Sequence, residues 1–407
     1  MIMKETESSS DKKGKTSGIP QELLKELTKS RQQLIIGVPK ENCEIEKRLA
    51  FTPEAVDMIV DAGHRVIIEK GAGIGINYSD ALYAEAGAEV AEKEIVFQSD
   101  LIFKIAPPTL AEVGMMKNKA TVCSMLQLPD ISKETIKTMS SKGINAIGYE
   151  LISENDHCFP IRNSISEIEG AASISVASEF LSNAHGGKGV LMGGIPGVSP
   201  TEVVIIGAGE GGVVAARAAL GLGAMVRVFD NDINKLRQLQ NTLGRSVFTS
   251  VFQPNVLINA FKSADVVIGV MHCIDAPVRY VISEEVIQTM KRGALVIDLR
   301  INQGGCFETT CFLPEGHDNV FEKYGILHYC MPNLSSRVAR TTSMALSNIF
   351  TPMIVRMGDL GGVPAMTNVD VGFRSGLYMY GGKFVNAFVA RHFNMPSHDI
   401  GLFLSVF

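Results

Sequence analysis

The 407-residue sequence predicts an α/β fold of two doubly wound, parallel-sheet units, the first split in the chain around the second. Three observations carry this expectation. Short apolar runs alternate with capped amphipathic segments twice along the chain. One such run, ending at Ile206, enters a glycine-rich turn that opens a helix. Long helical patterns stand before and after the second series, where the chain must leave the first unit and return to it.

The elements follow in order. "LIIGVPK" (34–40) reads as a first buried strand. "TPEAVDMIVDAG" reads as a helix, with Thr52 placed to cap it, Pro53 in its first turn and Gly63 at its end. "HRVIIEK" is the next strand, "SDALYAEAGAEV" a helix capped by Ser79, and "SDLIFKI" and "ATVCSML" further strands. "SEIEGAASISVASEFLSNAHGG" is a long helix with Ser164 or Ser166 near its start. The second series opens with the strand "EVVIIGAG", the helix "GGVVAARAALGLG" ending at Gly221 or Gly223, the strand "MVRVFD" and the helix "NKLRQLQNTL". "ADVVIGVM", "ALVIDLR" and "ILHYCMP" supply more strands, and a helix from about Thr341 to Arg356 leads back. The expected division is a polar extension over 1–32 (disordered, then a short helix), a first unit over 33–160 and 337–407, and a second over 161–336.

Composition excludes several classes. Hydrophobic residues at 46% and charged residues at 20% are those of a globular protein. A net charge of -5 without Lys/Arg clusters points away from nucleic acid and membrane surfaces. No apolar run reaches the length of a membrane span, and the polar start lacks the apolar stretch of a secretory signal. The seven cysteines are scattered, odd in number and without Cys-x-x-Cys spacing, so reduced thiols in a cytoplasmic protein are expected. No Cys/His spacing suggests a metal site.

"GAGEGG" sets Gly207, Gly209 and Gly212 as G-x-G-x-x-G between a strand and a helix. Gly207 permits the tight turn. Gly209, without a Cβ, lets backbone approach a pyrophosphate, and Gly212 allows close helix packing. The helix N-terminus offers unpaired N–H groups and partial positive charge. Asp230 ends the second strand, placed to accept from an adenosine ribose; its charge opposes a 2′-phosphate, so NAD is the expected cofactor. Lys235 and Arg237 nearby soften that preference.

With these motifs, "GVLMGGIPGVSPTEVVIIGAGEGG" (189–212), "NQGGCFE" (302–308) and "GVPKENCEIEKRLAFTPEAV" (37–56) resemble the alanine dehydrogenase family, which is related to the NAD-binding subunit of proton-translocating transhydrogenase. The resemblance runs from about Leu34 to about Arg356. It implies two Rossmann-like domains, a discontinuous substrate domain around an inserted NAD-binding domain, and a homo-oligomer, commonly a hexamer. It assigns Ser166, Asp230, Lys235 and Asn333 to the cofactor site beside the three glycines. Arg48 takes the place of the arginine that grips the substrate carboxylate through its fork of donors; the alternative is a surface arginine pairing with Glu44 or Glu46.

Three positions depart from the family pattern. Ala106 stands where a substrate-binding lysine is expected, with Lys104 two residues earlier. Gln127 stands at the place of an acid/base histidine, and Asn302 replaces a carboxylate. Alanine has no ionisable group, and Gln and Asn do not titrate near neutrality. Arg300 is a candidate replacement for the lost positive charge; the alternative is a buried arginine that simply pairs with Asp298, and both residues fall on the strand face of Asn302. Tyr149 and Glu150 are further residues expected near the cleft, Cys306 reads as a small buried hydrophobe, and His272 as a loop or packing residue. Two functions follow: an NAD-dependent amino acid dehydrogenase acting on a small amino acid or 2-oxo acid, or an NAD(H)-binding sensor or transhydrogenase-like module with impaired catalysis.

Overall fold

A computed structural model describes residues 31–44, 46–154, 158–271, 281–301, 304–311 and 320–404. Asn302, Gln303, His272 and the extension before residue 31 lie outside the described residues.

The first sheet contains β1 (Ile35–Val38), β2 (Arg65–Glu69), β3 (Glu89–Ala91), β4 (Leu101–Phe103), β5 (Thr121–Ser124), β6 (Asn145–Gly148), β14 (Leu377–Tyr380) and β15 (Lys383–Phe384), in the order β15-β14-β6-β5-β4-β1-β2-β3. The second contains β7 (Glu202–Ile206), β8 (Met225–Phe229), β9 (Phe248–Ser250), β10 (Val266–Gly269), β11 (Leu295–Asp298), β12 (Val320–Lys323) and β13 (Ile326–Tyr329), in the order β12-β13-β11-β10-β7-β8-β9. The β1-to-β6 pairings and those among β7, β8, β9, β10, β11 and β13 are parallel. Antiparallel strands finish one edge of each sheet: β12 on β13, and β14 and β15 beyond β6. The sheets are therefore mixed but mainly parallel. Each is buried on both faces, which is why their strands read as continuous apolar runs. In β7, Val203 and Ile205 enter one core while Val204 and Ile206 enter the other.

Several local expectations meet their physical cause. Thr52 caps α1 (Pro53–Asp61) by accepting from the Ala55 amide, and Ser79 caps α2 (Asp80–Glu85) by accepting from Leu82. That second helix is shorter than its pattern suggested: Gly87, at φ 84°, breaks it, and Glu89–Ala91 becomes the edge strand β3. Neither Ser164 nor Ser166 starts the long helix. α3 (Pro160–Leu181) begins at a proline, which fits a first turn because its missing N–H would be unpaired there. The return helix α4 (Ala339–Leu360) is also longer than expected.

Between the two comes α5 (Glu210–Gly221). A Cβ on Gly170 of α3 would lie 2.2 Å from the Gly211 carbonyl oxygen. The two helices thus touch backbone to backbone, which no larger residue permits. This crossing pins the glycine turn against the helix that links the two units.

Candidate functional site

The glycine turn has the geometry its residues dictate. Gly207 holds φ 114°, a region closed to side chains. A Cβ on Gly212 would meet the Gly207 carbonyl oxygen at 2.1 Å, so helix and turn are in contact. Gly209 differs: its φ of -74° is ordinary, and a Cβ there would meet nothing within 4 Å. Gly209 is the N-cap of α5 and supplies no side-chain acceptor, so the first-turn amides are not capped locally. The space at Gly209 and the uncapped helix start leave room and N–H donors that could hold an anionic group. Buried Asp230, just beyond β8, fixes the turn: its Oδ2 accepts from the Ala208 amide at 2.8 Å and its Oδ1 from Asp232 at 2.9 Å. Each oxygen keeps further lone-pair capacity for hydroxyl donors. Lys235 is exposed on the following helix.

The polar residues at the end of "VIDLR" serve the turn that follows β11. The strand stops at Asp298, so Arg300 lies in the turn beyond it and does not share a strand face. Asp298 does not pair with the Arg300 guanidinium. It staples the turn, accepting from the Arg300 amide at 2.9 Å, the Cys306 amide at 2.7 Å and the Thr310 hydroxyl at 2.8 Å. Burial pushes its pKa up, and these donors pull it back. A Cβ on Gly305 (φ 81°) would lie 3.0 Å from Asp298 Oδ2, so the glycine leaves room for this staple. Cys306 is buried in the core.

Arg300 turns toward α3 instead. It donates to the Ser166 hydroxyl at 3.1 Å and to the Val270 carbonyl at 3.3 Å, and its Nη1 lies 3.5 Å from Glu169 Oε2. The Ser335 hydroxyl donates to Glu169 Oε1 at 3.2 Å and accepts from Arg48 Nη1 at 2.9 Å. Arg48 is not a surface residue. It is 1% exposed, and Glu46 grips it in a fork, Nε to Oε1 at 2.7 Å and Nη2 to Oε2 at 2.5 Å. Burial disfavours the Arg48 charge, but the Glu46 carboxylate outweighs it and the guanidinium stays protonated. Glu169 is raised by burial, with Arg300 and Arg48 opposing. The result is a buried chain, Glu46–Arg48–Ser335–Glu169–Arg300–Ser166, joining the loop after β1, the segment before α4, α3 and the end of β11. Two carboxylates balance two guanidiniums within it.

Sequence reasoning missed Glu169 and Ser335. Glu169 had a legible signal: it stands three residues after Ser166, so the two share a helix face, and it is a charge amid small residues. Ser335 had none beyond its proximity to Asn333.

The other candidates point in different directions. Gln127, half-buried after β5, donates to Asn333 Oδ1 at 3.4 Å, linking the two sheets' strand ends. Asn333 adopts a left-handed φ of 56°. Lys104 is turned into the first unit: it is buried, 2.8 Å from Glu112 Oε2 and 3.8 Å from Glu41. It therefore does not stand in for the lysine missing at Ala106. The Tyr149 hydroxyl donates to the Ile105 carbonyl at 3.3 Å, and the Leu126 amide donates to Glu150 Oε1 at 2.7 Å. Ser166, Arg48, Gln127 and Asn333 are thus gathered between the units, next to the glycine turn through the α3–α5 crossing. Among the described residues no His, Cys, Asp and Glu cluster suits a metal ion, and no helix is long and apolar enough to cross a membrane.

Two mainly parallel α/β sheets, a dinucleotide-type glycine turn and a buried polar chain joining the two units define a two-unit, Rossmann-like class of protein. The profile described as "Alanine dehydrogenase/PNT, N-terminal domain" matches residues 37–169, and "Alanine dehydrogenase/PNT, C-terminal domain" matches 173–387. The chain belongs to the alanine dehydrogenase/PNT family. It is 36% identical over 366 residues to an alanine dehydrogenase of Methanococcus maripaludis, covering 89% of this chain and 97% of that one. It is 34% identical over 359 residues to the alanine dehydrogenase of Bacillus subtilis, covering 88% and 94%. A solved L-alanine dehydrogenase superposes with a TM-score of 0.82 at 31% identity, over 89% of this chain and 99% of that one. The transhydrogenase from Sinorhizobium meliloti shares the fold, with a TM-score of 0.72 at 22% identity, over 87% and 99%.

Proposed function

We propose that this chain is an NAD-dependent amino acid dehydrogenase of alanine dehydrogenase type. It converts L-alanine or another small amino acid, with NAD and water, to the 2-oxo acid, ammonium, NADH and a proton. The observation that carries this reading is the open cradle at Gly209, with uncapped amides at the head of α5. These residues fit NAD: Gly207, Gly209 and Gly212 would hold its pyrophosphate and Asp230 its ribose, with Ser166, Lys235 and Asn333 around them. When bound, NAD supplies the hydride acceptor. Arg48 holds the substrate carboxylate by exchanging its Ser335 contact for the ligand, while Glu46 keeps the fork in place. Gln127 and Asn302 orient the substrate by hydrogen bonding. Residues 33–160 and 337–407 form the substrate domain and 161–336 the NAD domain. The chain acts in the cytoplasm as a homo-oligomer of hexamer type; exposed Leu191, Ile195 and Val198 on one turn give it an apolar contact surface.

A second reading has its own support. Ala106 and Gln127 bring no proton-transfer group, and the Arg48 charge is already met by Glu46. The chain would then bind NAD(H) as a sensor or transhydrogenase-like module. The deciding assay is amino-acid-dependent NADH formation across a panel of small amino acids, with Arg48→Ala as control. Turnover abolished by Arg48→Ala supports the enzyme. NADH binding without turnover, with alanine activity appearing in Ala106→Lys/Gln127→His/Asn302→Asp, supports the sensor.

A further inference from the structure

From the geometry beyond β6 we infer that the Glu150 carboxyl is the proton acceptor and donor of this site, the role that Gln127 cannot fill. This rests on the dehydrogenase reading. Glu150 lies two residues beyond Gly148, the last residue of β6. Its Oε1 accepts from the amide of Leu126, the residue before Gln127, which fixes the carboxyl beside the vacant acid/base position. Its Oε2 is buried and has no hydrogen-bond partner. Among the described residues five other buried side-chain atoms share that condition, and two of them, Ser124 Oγ and Tyr378 Oη, lie on the strands around Gly148.

All three belong to one face and one end of the first sheet. Ser124 is the register partner of Gly148, and a Cβ on Gly148 would lie 3.4 Å from Glu150 Oε2. Tyr378 enters the same core as Val122 and Ala146, on the Ser124 side of the strands. Three unsatisfied polar atoms together require water or a mobile proton, because leaving such a group unpaired costs about 1–3 kcal/mol. Neighbouring charge ties Glu150 to the cleft: Arg162, in the first turn of α3 and stacked on Phe159 at 3.9 Å, interacts electrostatically with both Glu150 and Arg300.

Burial pushes the Glu150 pKa up to about 7, with its own amide, the Leu126 amide and Arg162 opposing. The titratable groups facing it are Arg162 from α3, Cys123 from β5, Tyr378 from β14 and neighbouring Tyr149. The last three are pushed upward by burial and stay neutral, leaving Arg162 as the facing charge. A base poised near neutrality suits proton transfer. Bound NAD would take up the hydride; water then adds to the carbon of the protonated imine. A C–O bond forms, and Glu150 takes the proton released from the water. The carbinolamine then collapses: Glu150 returns its proton to the amine nitrogen, the C–N bond breaks, and the departing ammonia takes up the remaining O–H proton as ammonium, leaving the 2-oxo acid and an ionised Glu150.

The test is a pH profile of kcat and kcat/KM for the parent protein, Glu150→Gln and Glu150→Gln/Gln127→His, with NADH affinity read by fluorescence. Glu150→Gln is isosteric and keeps the Leu126 contact. It is expected to lower kcat by about 10²–10⁴-fold and to abolish the ionisation near neutrality, with NADH affinity unchanged. The double variant is expected to regain turnover. A Glu150→Gln protein that keeps the parent's kcat and pH profile overturns this inference alone. A parent protein with no turnover on any amino or 2-oxo acid overturns the dehydrogenase reading and this inference with it.

Discussion

Cutting the buried chain at Arg300 tests whether it ties the two units together. Arg300 Nη1 lies 3.5 Å from Glu169 Oε2, and both side chains are 8% exposed. Two unit charges at that separation attract by about 5 kcal/mol at an effective dielectric of 20. Desolvation offsets much of this in the intact pair. Removing one partner strands the other, at a cost of about 3–5 kcal/mol. Arg300→Met also takes donors from Ser166 and the Val270 carbonyl. We therefore expect Arg300→Met to lose about 3 kcal/mol, and Glu169→Leu a similar amount. The double variant should return to within about 1 kcal/mol of the parent, since an apolar pair replaces a buried ion pair at little cost. Urea unfolding suits the measurement, followed by far-UV circular dichroism because the chain has no tryptophan. Additive losses in the double variant, or a loss under about 1 kcal/mol for Arg300→Met, would refute the coupling.

Gly209→Val should fold with the parent's stability, since its Cβ meets open space, yet lose NADH binding in a fluorescence titration; Gly212→Ala, only 2.1 Å from the Gly207 carbonyl, should lose stability as well. His328 is buried between the Thr309 hydroxyl and the Ile326 carbonyl, and burial lowers its pKa to about 4. Below its unfolded pKa of about 6.5 the unfolded chain takes up a proton that the folded chain refuses. Stability present above pH ~6.5 is therefore lost as pH falls toward 4, by up to about 3 kcal/mol. Glu41 and Glu150, raised to about 7, act in the opposite sense. The check is the difference in pH-dependence between the parent and His328→Phe, which should vanish above pH ~7.

Much of the architecture was legible because it rests on period and punctuation. Thr52 with Pro53, Ser79, and the glycines at 207, 209 and 212 announce their own geometry through caps and allowed dihedrals. The antiparallel edges were not legible. "LYMY" and "VFEK" are short, and nothing local distinguishes them from loop. The cleft was half readable. Arg48 stood out by resemblance, but its partner depends on which of Glu44 and Glu46 the loop turns inward. Pairing of Arg300 with Glu169, 131 positions earlier in the numbering of the chain, is set by tertiary packing. Period-2 alternation assigned Arg300 to a strand that had already ended at Asp298.

The late arrival of β14 bears on how the protein is made. β6 is complete at Gly148, yet the strand that pairs with its outer edge starts at Leu377. A ribosome adding roughly 5–20 residues per second needs on the order of 10–45 s to bridge that interval. Throughout it, one margin of a nascent apolar sheet presents bare amides and carbonyls to other chains. The second sheet, whose strands are contiguous from Glu202 to Tyr329, can close during that wait. Truncation that removes the last thirty or so residues, β14 included, would thus yield a chain with a folded centre and an adhesive rim, prone to aggregate during synthesis.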